Sequence, residues 1–386
     1  MKKVIFAFVL LAPFSVLTFI NLPLSATGPQ LPPSITLEVG TPAVSLYFYF
    51  DTAIDTTWVH SKQCSTCAKL STYSCLGSTT CDSTTTTPLQ ISYYGATLKG
   101  QTFVEFINFN VFKLHLLLLG ITQEEGVNSA PIDGVIGIGL KNFASESHII
   151  SKLMNSGLID KAVVGIHLSK TGSSLMFGGY DATLVKDPQK IIWFTVKDHW
   201  EIPVEDIKIH KIYSGMVKLE IRSGLGPIMV PKNMYEAIVI EITKDSSCQG
   251  NACRLKEFDY MSLPSFELKI NAKTTWKIDY RYYSKQIKKY QVSHCDHHGS
   301  CHYITYVIYE LTLLKGDGWA LGTDGLQHFY TILDYSSSKI GLLYLGMPKN
   351  ISKLVKIIVY SLLGASLVIG IVLAVACQFR RRRRYY

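Results

Sequence analysis

"FYFDTAIDTTWV", residues Phe48 to Val59, decides how the chain is read. An apolar run ends in Asp51, followed by Thr52, the small Ala53 and, a few residues on, Trp58. Downstream, "ISYYGATLKGQTFVEFINFNVF" offers short runs rich in Tyr, Phe, Ile and Val with glycine at the turns. "MVKLEIRSG" sets Val217, Leu219 and Ile221 against Lys218, Glu220 and Arg222, which is strand period. "HIISKLMNSGLID" spaces Ile149, Leu153 and Leu158 as a short amphipathic helix closed by a glycine. Helical patterns are few, and the texture predicts an all-β architecture.

The ends of the chain carry addressing signals. Met1-Lys2-Lys3 precedes an apolar run from Val4 to about Leu24 and the small residues Ser25-Ala26-Thr27-Gly28, the order of a secretory signal peptide cut near Ala26. From Ile357 to Cys377 no charged residue occurs, which is long enough for a membrane-crossing helix. Arg380 to Arg384 follow directly and hold that side in the cytoplasm. The expected topology is single-pass type I on the secretory route or at the cell surface, with the bulk lumenal or extracellular. The formal charge of +9 belongs mostly to this topology. Without Lys2, Lys3 and the five tail arginines, 31 Lys and Arg face 29 Asp and Glu, near +2, and no nucleic-acid partner is expected.

Eight of the nine cysteines lie between the two ends, in two groups of four: Cys64, Cys67, Cys75 and Cys81, then Cys248, Cys253, Cys295 and Cys301. An even number in a secreted chain argues for disulfides, and each group allows three pairings. Cys64-x2-Cys67 also has metal-ligand spacing, and "HCDHHGSCH" crowds histidine with cysteine, but an oxidising lumen favours disulfides. No metal or cofactor is expected. Asn350-Ile351-Ser352 is a glycosylation sequon.

Seven segments, in order over residues 34–346, resemble the pepsin-like aspartic proteases. "LEVGTPAVSLYFYFDTAIDTTWV" resembles the first strand pair and Asp-Thr-Gly loop, and "YYGATLKG" the flap hairpin, with Tyr94 as flap tyrosine. "IDGVIGIGL" resembles the segment threading behind the first catalytic loop, and "SLMFGGYD" the hairpin closing the first lobe. "WFTVKDHWEIPVEDIKI" and "LPSFELKI" resemble parts of the second lobe. "WALGTDGLQHFYTILDYSSSKIGL", Trp319 to Leu342, resembles the C-terminal strand, short helix and final hairpin. The resemblance implies two β-rich lobes, each giving one aspartate to the floor of a peptide-binding cleft. One carboxylate, ionised, takes a proton from water, while the other, protonated, polarises the scissile carbonyl.

The second aspartate is missing. In "LEIRSGLGPIMVPKNMYEAI", Ile221, Gly224 and Pro231 fit the family pattern, but Arg222 stands at the aspartate position, followed by Ser223. In the first loop Ala53 replaces the usual glycine, and Ile54 replaces a serine that would bond the catalytic carboxylate. Thr52 and Ser223 are expected to interlock beneath the cleft floor. A guanidinium facing Asp51 predicts an ion pair, worth roughly 4 kcal/mol at about 4 Å and an effective dielectric near 20, before desolvation. Asp206, Glu220, Asp245 and Asp324 are the substitute acids to weigh, Asp324 first.

The sequence therefore predicts a bilobal pepsin-like acid-protease fold with a C-terminal transmembrane helix. The expected segments are signal peptide 1–26, N-terminal lobe 27–186, C-terminal lobe 187–347, juxtamembrane 348–356, span 357–377 and basic tail 378–386. The expected function is binding of a peptide or protein in the cleft by a monomer, without proteolysis. Asp51 and Arg222 hold the catalytic positions, and Tyr94, Trp58, Thr52 and Ser223 are the substrate-binding set. The alternative is an active endopeptidase with an altered dyad.

Overall fold

The computed structural model describes residues 19–25, 31–67, 71–84, 86–109, 112–126, 132–169, 172–295 and 300–346. The span expected at 357–377, the basic tail, Asn350 and most of the signal segment lie outside these residues. Among the described residues no helix is long and apolar enough to cross a membrane.

The chain is mostly β, and the helices among the described residues are short: Ile149–Asn155, Lys232–Thr243, Glu257–Tyr260 and Thr323–Leu326. The first half builds a seven-stranded sheet and the second half a five-stranded and two four-stranded sheets. A six-stranded sheet draws on both halves, combining Ser173–Phe177 and Val163–His167 with Phe329–Asp334, Lys339–Tyr344 and Ile192–Thr195.

The same topology occurs once in each half. Strand Val44–Asp51 runs parallel to Gly134–Gly137, with Asp51 opposite Gly137. Gly134–Gly137 also pairs antiparallel with Trp58–His60, which lies parallel to Lys113–Glu125. In the second half Val217–Ile221 runs parallel to Trp319–Leu321, with Ile221 opposite Leu321. Trp319–Leu321 pairs antiparallel with Met229–Pro231, which lies parallel to Leu314–Gly316. Superposing the two registers puts Gly322 where Gly137 stands and Arg222 where Asp51 stands. Both glycines thread closely behind the loop of their own half. A Cβ on Gly137 would lie 2.7 Å from backbone atoms of Asp55 and Thr56, and one on Gly322 would lie 2.1 Å from the Pro227 carbonyl oxygen.

One apolar core runs through both halves. Trp200 Nε1 and the Tyr335 hydroxyl both donate to the Ile138 carbonyl, at 3.1 and 2.7 Å, tying second-half side chains to the segment behind the first loop. The four disulfides join sequence neighbours: Cys64–Cys67, Cys75–Cys81, Cys248–Cys253 and Cys295–Cys301. Each staples a local turn.

The signal segment expected over 1–26 overlaps a described strand. Ile20–Leu24 is the edge strand of the six-stranded sheet, antiparallel to Ser173–Phe177. Leu22 and Leu24 point inward while Asn21 and Pro23... alternate outward, Leu22 being 2% exposed. The distal end of the apolar run thus has strand period, and cleavage near Ala26 would detach a strand. Leu22→Ala is expected to destabilise the mature protein by roughly 2–5 kcal/mol, the usual cost of emptying a buried leucine site. Chemical denaturation of the purified chain measures this, and an unmoved midpoint would show that the strand is absent from the mature fold.

Candidate functional site

The two loops meet through reciprocal hydrogen bonds. The Thr52 amide donates to Ser223 Oγ at 3.1 Å, and the Ser223 amide donates to Thr52 Oγ1 at 3.0 Å. Each hydroxyl then donates across to the other strand, Thr52 to the Ile221 carbonyl and Ser223 to the Phe50 carbonyl. The expected interlock is therefore present, and it consumes both hydroxyls. Thr52 and Ser223 are 2% and 6% exposed, so they build the floor of the site rather than contacting a ligand.

Asp51 sits on this floor, fully buried. Its Oδ1 accepts the Ala53 amide at 2.8 Å, the turn bond that the Asp-Thr-Ala sequence allows. Oδ2 makes no hydrogen bond and is packed against the second loop: a Cβ on Gly224 would lie 2.1 Å from it. Only glycine permits this approach. Burial raises the Asp51 pKa above the ordinary carboxylate value, against the opposing pull of the Ala53 amide, Tyr94, Arg222 and Tyr93. No carboxylate is among the groups acting on it.

Arg222 does not form the expected ion pair with Asp51. Its Nε and Nη2 both donate to Glu220 Oε2, at 2.8 and 2.6 Å. Glu220 lies two residues back on the same strand face and is 27% exposed at its side chain, so this pair keeps partial solvation. An Asp51–Arg222 pair on the closed floor would desolvate two charges more completely. Burial works against the guanidinium charge, but Glu220 outweighs it and raises the Arg222 pKa. The guanidinium carbon lies 5.5 Å from the centre of the Tyr94 ring, so the arginine supports the flap from below.

The flap is the hairpin of Pro88–Tyr93 and Ala96–Asn108. Its two turn residues, Tyr94 and Gly95, have φ of 45° and 87°, the positive pair of a two-residue hairpin turn. A tyrosine there is strained, and Tyr93 and Arg222 hold it. The Tyr94 hydroxyl is buried and makes no hydrogen bond. Trp58 does not line the cleft: it is wholly buried, packed edge-on behind Tyr93 at 5.3 Å, with its Nε1 also unsatisfied.

A groove of about 210 Å³ runs beside the first loop, lined by Ala53, Ile54, Ile91, Ser92, Leu140 and His199, among others. A larger cavity of about 640 Å³ lies between Thr56, Leu117, Leu119, Asn142, Ser147 and His148 and does not include Asp51. Both join the first loop to the flap strand, the larger through Leu89 and the smaller through Ile91 and Ser92, and Asp51 lines neither. The substitute acids are engaged elsewhere. Asp206 accepts the Ser214 and Gly215 amides at 3.0 and 2.9 Å, Asp245 is exposed, and Asp324 opens the helix Thr323–Leu326, where its charge acts on Tyr282. Sequence reasoning missed Gly224 as a contact of Asp51 and Glu220 as the partner of Arg222. The alternation Glu-x-Arg on one strand face was the available signal for the second.

The native carboxyl of Asp51 holds its proton more tightly than the unfolded chain does. It therefore contributes stability in acid, and this is lost as pH rises through the raised native pKa. Asp51→Asn imitates the protonated form, so its melting temperature should gain on the parent protein as pH goes from 4 to 7. About 1 kcal/mol corresponds to roughly 2–4 °C. A difference that stays flat or shrinks with pH in paired thermal melts refutes the raised pKa.

Residues 34–344 match the eukaryotic aspartyl protease family. Pepsin A of Suncus murinus is 22% identical over 320 residues, covering 80% of this chain and 79% of that protein. Pregnancy-associated glycoprotein 1 of Sus scrofa is 23% identical over 322 residues, covering 79% of each. The vacuolar aspartic protease of Candida albicans is 25% identical over 340 residues, covering 79% of this chain and 73% of that one. With the fold repeated in both halves and the family match spanning both, the chain belongs to the eukaryotic aspartyl protease family.

Proposed function

We propose that this family member binds a peptide or protein segment in its cleft and does not cut it. The observation that carries this reading is the composition of the floor. Asp51 is the carboxyl at the meeting of the two loops, and the equivalent position on the other loop holds an arginine committed to Glu220. Peptide hydrolysis of this kind needs one group to take a proton from water and another to give one to the substrate. Burial raises the Asp51 pKa, so Asp51 is the floor group suited to carry a proton in acid. Arg222 stays charged and cannot accept the proton that water must lose.

The remaining features suit binding. Pro88–Tyr93 is the edge strand of its sheet, so its free backbone groups can pair with an extended segment. Ile91 and Ser92 of that strand line the smaller groove beside the first loop, which is the ligand groove in this reading. The test is digestion of a broad peptide library by the full chain in detergent between about pH 3 and 7, with Asp51→Asn as control. The expected result is peptide retention without cleavage. Cleavage that disappears with Asp51→Asn would establish the altered-dyad endopeptidase instead.

We further propose that the domain faces the lumen, held by a span over 357–377. The apolar run and the arginines beyond it support this reading. In sealed microsomes, added protease should remove an epitope placed after Tyr386 and spare the rest of the chain. Protection of the epitope, or digestion of the whole chain, overturns it.

A further inference from the structure

The Cys64-x2-Cys67 motif plays no part in the cleft, yet it lies beside an unexplained group. His60 ends the short strand Trp58–His60 and is 1% exposed, and neither ring nitrogen makes a hydrogen bond. Its backbone amide donates to the Asp133 carbonyl and its carbonyl accepts from the Tyr73 amide, and its ring packs on Trp58 at 5.1 Å. Glu124, on the neighbouring strand, brings a carboxylate oxygen to 3.6 Å from Nε2, beyond hydrogen-bond range. A ring nitrogen of His60, the Cys67 sulfur and a Glu124 oxygen all lie within 4.8 Å of one another. With the Glu124 carboxylate and the Ile132 backbone as its polar neighbours, the buried imidazole still lacks a well-formed hydrogen bond, and such a group calls for a closer partner.

We propose that reduction of the Cys64–Cys67 disulfide opens a zinc site made by His60, Cys64, Cys67 and Glu124. With the disulfide intact its sulfurs are poor ligands, and the histidine and glutamate alone hold zinc weakly. A dithiol reductant breaks the S–S bond, leaves one hydrogen on each sulfur and departs as its own disulfide. Zinc then displaces the two thiol protons to solvent and takes both thiolates, the imidazole and the carboxylate, a two-sulfur set for tetrahedral zinc. Such zinc holds its ligand atoms roughly 3.5 Å apart, so closing the site moves side chains by about 1 Å. The loop is prepared for the reduced state. The Cys67 amide donates to Cys64 Sγ at 3.2 Å, a contact that stabilises a thiolate. The Glu124 amide donates to Thr66 Oγ1 at 2.8 Å, pinning the loop to the strand that carries the carboxylate. Both cysteines are partly exposed and open to a reductant. The site lies apart from Asp51 but touches its surroundings: His60 packs on Trp58 at 5.1 Å, and Trp58 on Tyr93 of the flap at 5.3 Å.

The experiment uses cobalt(II) as the probe, in the full chain. After treatment with a dithiol, with opened cysteines mapped by alkylation and mass spectrometry, one cobalt should bind with a sulfur-to-metal absorption band, absent from the oxidised protein. His60→Asn and Glu124→Gln should each weaken binding by more than the roughly 10–100-fold that loss of an outer-shell partner costs. Because reduction opens other disulfides, a second variant removes that dependence. Cys64→Ser, kept oxidised elsewhere, leaves Cys67 as a free thiol beside His60 and Glu124. It should bind cobalt without reductant, and adding His60→Asn should abolish this. The proposal falls if Cys64→Ser gives no sulfur-to-cobalt band, or if the band survives His60→Asn.

Discussion

The exchange of hydrogen bonds between Thr52 and Ser223 is the constraint on which the site depends. It joins residues 171 apart in sequence, with each amide donating to the opposite hydroxyl. Each such bond is worth only roughly 0.5–1.5 kcal/mol net, but a buried partner left without its bond costs about 1–3 kcal/mol. The motif is therefore self-enforcing, since losing either hydroxyl strands an amide in a closed interior. Serine suffices in place of threonine because the hydroxyl, not the methyl, makes the link. The two loops are thereby joined whatever residue stands beside the hydroxyl on each. Asp51 and the start of the second loop are held in place by groups that take no part in proton transfer.

Given that frame, Arg222 chooses between two acids. Asp51 is fully buried, and pairing there would strip water from both charges. Glu220 is partly exposed and already lies on the same strand face, so the guanidinium reaches it with less desolvation. The outcome inverts the electrostatics expected from proximity alone. Asp51 is governed first by its desolvation and only weakly by the arginine, so its pKa goes up rather than down. The positive charge is spent instead on Glu220 and on the underside of the Tyr94 ring.

What was legible in the sequence is what repeats locally. The run from Phe48 to Val59 and the stretch from Trp319 to Leu342 place the two loops and the segments behind them, and the pairing of Asp51 with Gly137 and Ile221 with Leu321 follows the same order. The flap turn and the short helix at Ile149–Asn155 were marked by Tyr-Gly and by apolar spacing. Less legible was anything that depends on which of two partners a side chain meets. The choice of Glu220 by Arg222 depends on relative burial, which strand period does not give. Trp58 was read as a cleft wall from the family resemblance, but its strand is buried on both faces and its ring packs into the core behind Tyr93. Ile20–Leu24 lies within the segment read as a signal peptide, and an apolar run and an apolar alternation look alike when the outward residues are only Asn21 and Pro23.

The lone acid also changes what the cleft can recognise. In a two-acid site a shared proton lets one carboxyl donate while the other accepts. Here burial raises the Asp51 pKa, Oδ1 is occupied by the Ala53 amide, and Oδ2 has no hydrogen-bond partner. A protonated Oδ2 is a donor, and it favours a carbonyl oxygen over an amide hydrogen. As pH rises and the proton leaves, the same atom becomes a buried anion that repels carbonyls. The charge of this one buried atom is thus tied to acidity, without any change in the fold around it.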